Sequence, residues 1–356
     1  MGGMEAHAHQ LCSALRDSGH DVTLLAAGGS SDPRLQAICD EPYEAVLPWE
    51  HWRGTAQLEA YQRRAFATAM DVVRNGQFDV VHNNALFPDL IDWLRESGIP
   101  AVTSQHVPPF GKMAEAVART EGCEWAQLTC TSRSQLPLWF ADPPANAGVV
   151  YNGIDCNKWR PGNERSGRLV WTGRITPNKG LRESIEAVRR ADAALDFAGP
   201  VEDRAYFQEC MSAANGADIR YLGQLQGETL SQVVRCARAA LVTPMWDEPF
   251  GLVAAEALAS GVPVCAFDRG AMREVIGPCG LLAGGGDVEG LAECIGQVDR
   301  IDRQSCRTRA LDRFSAQAMV AGYEQAYTAA IRGSQTGADA DAASSSSCAS
   351  TAALLA

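Results

Sequence analysis

The sequence predicts an α/β protein built from two doubly wound, parallel-sheet domains. Three observations carry this. Short apolar runs recur along the chain, helical patterns separate them, and the alternation halts once, near residue 155, before starting again. Strands that alternate with helices are buried on both faces of a parallel sheet, so they read as continuous apolar runs. With 356 residues the chain can give each of two domains its own core.

In the first series Asp21–Leu25, Phe78–His82 and Pro100–Thr103 read as strands, and Gly148–Tyr151 closes the set. Between them, Ala6–Ser18 and Ala56–Arg74 carry Leu, Phe, Met and Val at helical spacing. The pattern stops at Asn152-Gly153-Ile154-Asp155 and the polar stretch Arg160–Gly167. The second series has strands at Arg168–Trp171, Ala194–Ala198, Ile219–Leu222, Ala239–Val242 and Val262–Cys265. The expected domains are therefore 1–156 and 157–316. A final helix, 317–333, is expected to pack back on the first domain. Residues 334–356 are rich in Ala, Ser and Asp and read as a disordered tail.

Composition excludes several functions. The 46% apolar and 21% charged residues are those of a globular protein, and no apolar run approaches the roughly 18 to 20 residues of a membrane span. No basic-then-apolar leader stands at the start, so the expected compartment is the cytoplasm. The twelve scattered cysteines form no C-x-x-C pair and read as small buried hydrophobes, without disulfides or zinc. A net charge of −12 argues against nucleic acid. The first 150 residues are themselves acidic and hold no basic amphipathic helix, so peripheral contact with an anionic membrane is not favoured.

Two clusters carry chemistry. Trp171-Thr172-Gly173-Arg174-Ile175-Thr176-Pro177-Asn178-Lys179-Gly180 joins a strand to a helix. Its glycines let the backbone turn tightly, Arg174 can donate bidentately to a phosphate, and Lys179 supplies a compact charge near a helix N-terminus. Taken alone, it reads more safely as a glycine turn with two exposed cations. The second cluster runs from Pro244 to Glu256. A strand leads into a loop bearing Glu248, then Pro249 and Gly251, so the N–H groups of Phe250, Gly251 and Leu252 are free to face an anion. Glu256 follows among alanines. Two acids across a loop–helix junction suit a polyol, one for a sugar and one for a ribose. Singly, they read as a capping acid and a surface acid.

Together the clusters resemble the retaining GT-B glycosyltransferases of family 4, which carry a G-R-x4-K-G loop and a Glu-x7-Glu motif in this order. Gly2-Gly3-Met4-Glu5 with His7, Ser104-Gln105-His106, Thr131-Ser132, Asn152–Asp155 and Ala259–Val264 also match, so the resemblance covers residues 1 to about 332. It implies two Rossmann-like domains facing a cleft. It implies transfer of a sugar from a nucleotide-diphosphate donor, with a UDP-sugar expected, to an unidentified acceptor hydroxyl with retention. Arg174 and Lys179 would neutralise the diphosphate. Glu248 would bind sugar hydroxyls beside the main chain of Pro249, Phe250, Gly251 and Leu252, and Glu256 would bind the ribose. Gly3 would approach the phosphates, His106 would face the sugar, and the base would lie near Leu225. No metal or other cofactor is implied, and the only Asp-x-Asp, Asp339-Ala340-Asp341, falls in the tail.

The chain departs from the pattern in two places. The family's first β-strand is missing before Gly2-Gly3, which would leave two unpaired strand edges in the middle of a sheet. The expected reason is a misplaced start, with truncation or incomplete function as the others. The loop Arg269–Glu274 lacks the family's second glycine and proline. A nicotinamide dehydrogenase is excluded because no G-x-G-x-x-G follows a strand. A GT-B sugar-nucleotide epimerase and a non-catalytic nucleotide-sugar-binding protein stay open as alternatives.

Overall fold

The protein is described by a computed structural model, which covers residues 3–335 and 351–355; Gly2 and Asp339-Ala340-Asp341 lie outside the described residues. The chain divides into two compact units. One comprises Met1–Thr131, Gln135–Val150 and Met319–Ala356, the other Ser132–Ser134 and Tyr151–Ala318. The division falls at Tyr151 rather than at residue 157. The reason is packing: Tyr151 meets the ring of Phe314 at 5.5 Å, and the Ile154 N–H donates to the Phe314 carbonyl at 2.6 Å.

Six strands of the first unit follow one another along the chain: β1 (Asp21–Ala27), β2 (Leu35–Cys39), β3 (Val80–Asn83), β4 (Ala101–Gln105), β5 (Ala126–Cys130) and β6 (Ala147–Val149). β2 and β5 are absent from the sequence reading, since their mixed polar and small residues carry no apolar run. Helices Gly3–Asp17, Ala56–Asn75 and Pro88–Ser97 cover the sheet. Thr55 caps the second of these by accepting from the Leu58 N–H, and Pro88 at the first helical position opens the third.

The second unit holds β7 (Leu169–Thr172), β8 (Ala194–Ala198), β9 (Asp218–Tyr221), β10 (Ala240–Val242), β11 (Val264–Phe267) and β12 (Gly280–Ala283). They form one parallel sheet in the order β12-β11-β10-β7-β8-β9. The chain runs outward from β7 to β9, then returns to the other side of β7 at β10. The β7/β10 boundary is thus the topological switch point, where loops leave the sheet in opposite directions and open a crevice.

The last described segment overturns an expectation. Thr351–Leu355, read as part of a disordered tail, is a strand, β13. It lies between β1 and β3, parallel to both, and completes the order β2-β1-β13-β3-β4-β5-β6. The central position expected to be empty is therefore filled from the far end of the sequence. Asp79 N–H donates to the Thr351 carbonyl at 2.8 Å, and Asn84 N–H donates to the Leu355 carbonyl at 2.9 Å. Composition misled here because Ala and Ser dominate the tail. The uncharged Thr-Ala-Ala-Leu-Leu can nonetheless be buried on both faces, which a central strand requires. Ala352 and Leu354 join Leu11, Leu15 and Tyr323 on one side, while Ala353 and Leu355 join Met70, Leu90 and Leu94 on the other. Residues 336–350, the rest of the expected tail, lie outside the described residues.

The helix Ala316–Gln335 places Met319, Val320, Tyr323, Tyr327 and Ala330 in the first of these cores. A buried polar network pins it. His82 Nδ1 lies 2.6 Å from Tyr327 Oη, His82 Nε2 lies 2.9 Å from Ser104 Oγ, and Ser104 Oγ donates to Tyr323 Oη at 3.1 Å.

Candidate functional site

The loops after β7 and β10 meet at the switch point. Lys179 Nζ donates to Glu248 Oε2 at 2.7 Å, although 69 positions separate them. Both side chains are largely but not wholly buried, at 24% and 15% exposed, so a ligand can still reach them. Thr243, at the end of β10, holds the lysine turn. Its Oγ1 donates to the carbonyl oxygens of Gly180 (2.8 Å) and Lys179 (3.1 Å) and accepts from Trp171 Nε1 at 3.2 Å. Gly180 sits at φ +67°, and a Cβ there would collide with the Thr243 carbonyl oxygen, so glycine is required on both counts.

The helix Leu252–Ala259 starts directly after this loop, with Gly251 as its N-cap and no side-chain cap. Its first N–H groups are left for a ligand, and its dipole favours an anion there. Pro249 and Phe250 are buried; the Phe250 ring belongs to the core with Phe314, so only its main chain can serve a ligand. Leu252 is half-buried on the first turn. The departing loop Arg269–Glu274 supports Glu248 from below. Ala271 N–H donates to the Glu248 carbonyl at 2.8 Å, and Gly270, at φ +57°, lies so close to the Glu248 backbone that any Cβ would clash. Glu274 gathers donors from Arg133 N, Ser134 N and Tyr151 Oη at 3.0 to 3.1 Å.

Glu256 lies half-buried on the helix Leu252–Ala259. Desolvation pushes its carboxyl up to about 8, with Lys158 the only opposing charge. Arg174 is not gathered with Lys179 and Glu248; it is exposed and pairs with Glu202 at 3.2 Å. Leu225 lies half-buried in the loop before the helix Gly227–Cys236.

In the first unit, Gly3 opens the helix Gly3–Asp17. His106 follows β4 and its Nε2 lies 2.9 Å from Asn84 Oδ1. His7 packs against it with ring centroids 4.4 Å apart, and His7 Nε2 and Asn84 Nδ2 are buried without a hydrogen-bond partner. Burial lowers His106 to about 4. Burial, then the charge of His106, lowers His82 to about 3 and His7 well below its ordinary value. All three are neutral at physiological pH. The unfolded chain, with ordinary histidines, binds more protons between about pH 4 and 6.5, so stability is lost as pH falls through that window. Melting from pH 7 to pH 4.5 should fall accordingly, and a His82→Asn or His7→Gln variant should fall less. Equal slopes in wild type and variants would refute the assignment.

Thr243, Trp246, Glu274, His7 and Asn84 were not singled out as working residues from the sequence. Thr243 holds Lys179 and Asn84 holds His106 from remote positions, Trp246 lies two positions from the Glu248 it holds, Glu274 ties Arg133, Ser134 and Tyr151 together, and only His7 carried a spacing signal. Among the described residues, no group of three or more His, Cys, Asp or Glu is placed to hold a metal ion. No described helix is long and apolar enough to cross a membrane.

Comparison with known proteins bears on the fold and the family. Residues 1–158 match the model described as Glycosyltransferase Family 4, and residues 166–298 match Glycosyl transferases group 1. The chain is 27% identical to the glycogen synthase of Mycobacterium tuberculosis, covering 94% of this chain and 92% of that protein. It is 27% identical to an MMP alpha-(1->4)-mannosyltransferase of Mycolicibacterium hassiacum, covering 93% and 95%. Among solved structures, the sucrose-phosphate synthase of Thermosynechococcus elongatus superposes with a TM-score of 0.73 at 19% identity, covering 92% and 93% of the chains. Anabaena HepE in complex with UDP and glucose superposes with a TM-score of 0.68 at 18% identity, covering 92% and 96%. With two parallel-sheet Rossmann-like units the chain has the GT-B fold, and its two halves are each similar to a glycosyltransferase family model.

Proposed function

We propose that the chain transfers a hexosyl group from a nucleotide-diphosphate sugar, a UDP-sugar first, to an acceptor hydroxyl with retention of configuration and without a metal. The observation that carries this is the meeting of Lys179, Glu248 and an uncapped helix start at the switch point of one sheet. A cation, a carboxylate and free N–H groups on adjacent loops suit a diphosphate joined to a polyol. HepE, similar in fold, is known in complex with UDP-glucose, which favours a uridine donor.

In this reading Lys179 leaves Glu248 for the diphosphate, and Arg174 swings from Glu202 to the same charge. Together they stabilise the leaving group as the bond between the anomeric carbon and the phosphate oxygen breaks. Glu248 then accepts from sugar hydroxyls and Glu256 from the ribose diol. The acceptor oxygen bonds to the anomeric carbon on the face the phosphate leaves, and a phosphate oxygen takes its proton. No protein nucleophile is needed. His106, neutral and held by Asn84, is assigned to the sugar, Gly3 to the phosphates and Leu225 to the base. The cytoplasm is the proposed compartment.

A thermal-shift screen of nucleotide sugars tests the reading, because a ligand that binds only the native state raises the melting point. At least one donor should stabilise the protein and be hydrolysed or transferred; stabilisation without turnover would make it a binding protein instead. Glu256 gives a sharper check. Its folded carboxyl keeps a proton up to about pH 8, far above the ordinary glutamate, so folding stability declines as pH rises from about 4.5 to 8. Glu256→Gln should therefore melt higher than wild type at pH 8, whereas Glu256→Ala should bind the donor roughly tenfold less tightly, through loss of the hydrogen bonds to the ribose. Unchanged donor affinity would remove Glu256 from the site.

A further inference from the structure

We propose that Trp246 is a positioning residue for the donor site, acting through Glu248 and Lys179 together. The inference rests on the donor-site reading above. Trp246 Nε1 donates to Glu248 Oε2 at 2.9 Å, and the same oxygen accepts from Lys179 Nζ at 2.7 Å. The ammonium also lies 5.3 Å from the centroid of the indole ring. One side chain therefore offers its N–H to the anion and its π face to the cation.

Packing does not explain this placement. Trp246 is half-buried and stands outside the clusters that form the core of its unit, whereas Phe250, four residues on, lies inside one. Its consequence appears when a diphosphate arrives. Lys179 turns toward the phosphates, and Glu248 Oε2 loses one of its two donors. The indole N–H keeps that carboxylate aimed at the sugar, where a freed rotamer would cost orientation at the reacting carbon. Phenylalanine would preserve the face toward Lys179 but not the donor to Glu248, so the two contacts are separable.

The test uses full-length Trp246→Phe, Trp246→Leu and Trp246→His with the pairs UDP-glucose/UDP, ADP-glucose/ADP and GDP-mannose/GDP. The pair that stabilises wild type most is carried forward. Trp246→Phe should bind the nucleoside diphosphate within about twofold of wild type, keep its melting point, and lose roughly ten- to a hundredfold in kcat with little change in donor KM. Trp246→Leu should in addition weaken the diphosphate by roughly two- to fivefold, because the face under Lys179 is gone. Trp246→His, which restores an N–H, should recover part of kcat. Wild-type kcat in Trp246→Phe overturns the proposal, as does an equal loss of diphosphate affinity and kcat, which marks a loosened loop. Wild type that neither binds nor turns over any pair overturns the donor-site reading and this inference with it. An active wild type beside an unaffected Trp246→Phe overturns this inference alone.

Discussion

Deleting residues 351–356 should unfold the first unit while leaving the second folded. β13 is the central strand of its sheet, and its loss exposes hydrogen-bonding groups of both β1 and β3 to an apolar interior. It also empties two cores at once, since Leu354 and Leu355 are fully buried on opposite faces. Leu354→Ala alone should cost about 2 to 5 kcal/mol, the usual range for a buried leucine. At roughly 2 to 4 °C per kcal/mol for a domain of this size, that is a lowering of about 4 to 20 °C for the first unit. Leu354→Asp, which buries a charge beside apolar neighbours, should match the deletion. Hydrogen exchange reads this directly: amides of Val80 to Asn83 should lose protection, while those of Val170 to Thr172 in the second unit keep theirs. The Leu355 carbonyl accepts from Asn84 N–H, and Asn84 Oδ1 pairs with His106, so the deletion should also release His106 toward an ordinary titration. Undiminished protection in β3 would show that the strand is not needed there.

The second large effect is on turnover. Lys179→Ala and Glu248→Ala should each lower kcat by about 10² to 10³-fold, which is roughly 3 to 4 kcal/mol of lost transition-state stabilisation. Neither should lower the melting point much. The side chains sit on loops at the sheet's C-terminal edge, and the backbone there is held by Thr243, Gly180 and Gly270 instead. The variants should also differ from each other. Lys179→Ala should raise the dissociation constant of the nucleoside diphosphate, whose charge it meets. Glu248→Ala should spare or tighten it, because the competing carboxylate partner of Lys179 is gone. Wild-type rates in either variant, with folding intact, would remove these residues from the chemistry.

Much of the fold and part of the site could be read along the chain. The apolar runs at Asp21–Leu25, Ala194–Ala198 and Ala239–Val242 are strands within a residue or two, because buried parallel strands must be continuously apolar. The motif residues Lys179 and Glu248 were legible because glycine, proline and charge at fixed spacing betray a turn feeding a helix start. The reading failed where local composition and final environment disagree. Ala-rich Thr351–Leu355 resembles a tail until β1 and β3 provide two edges to pair with. The exposed Arg174, paired with Glu202, shows that motif order does not place a long side chain.

By itself, then, the sequence determined two α/β units, their parallel sheets, and the loops that carry the charged residues, since periodicity and turn chemistry are local properties. Only the tertiary structure decided which remote groups meet. It set Lys179 against Glu248 and Trp246, Thr243 beneath the lysine turn, His7 against His106, and the last strand in the middle of the first sheet. Those pairings follow from the strand order, which brings the ends of β7 and β10 together and leaves a place between β1 and β3. Strand order is a cooperative outcome of burying every sheet edge and face at once, and no short window of residues encodes it.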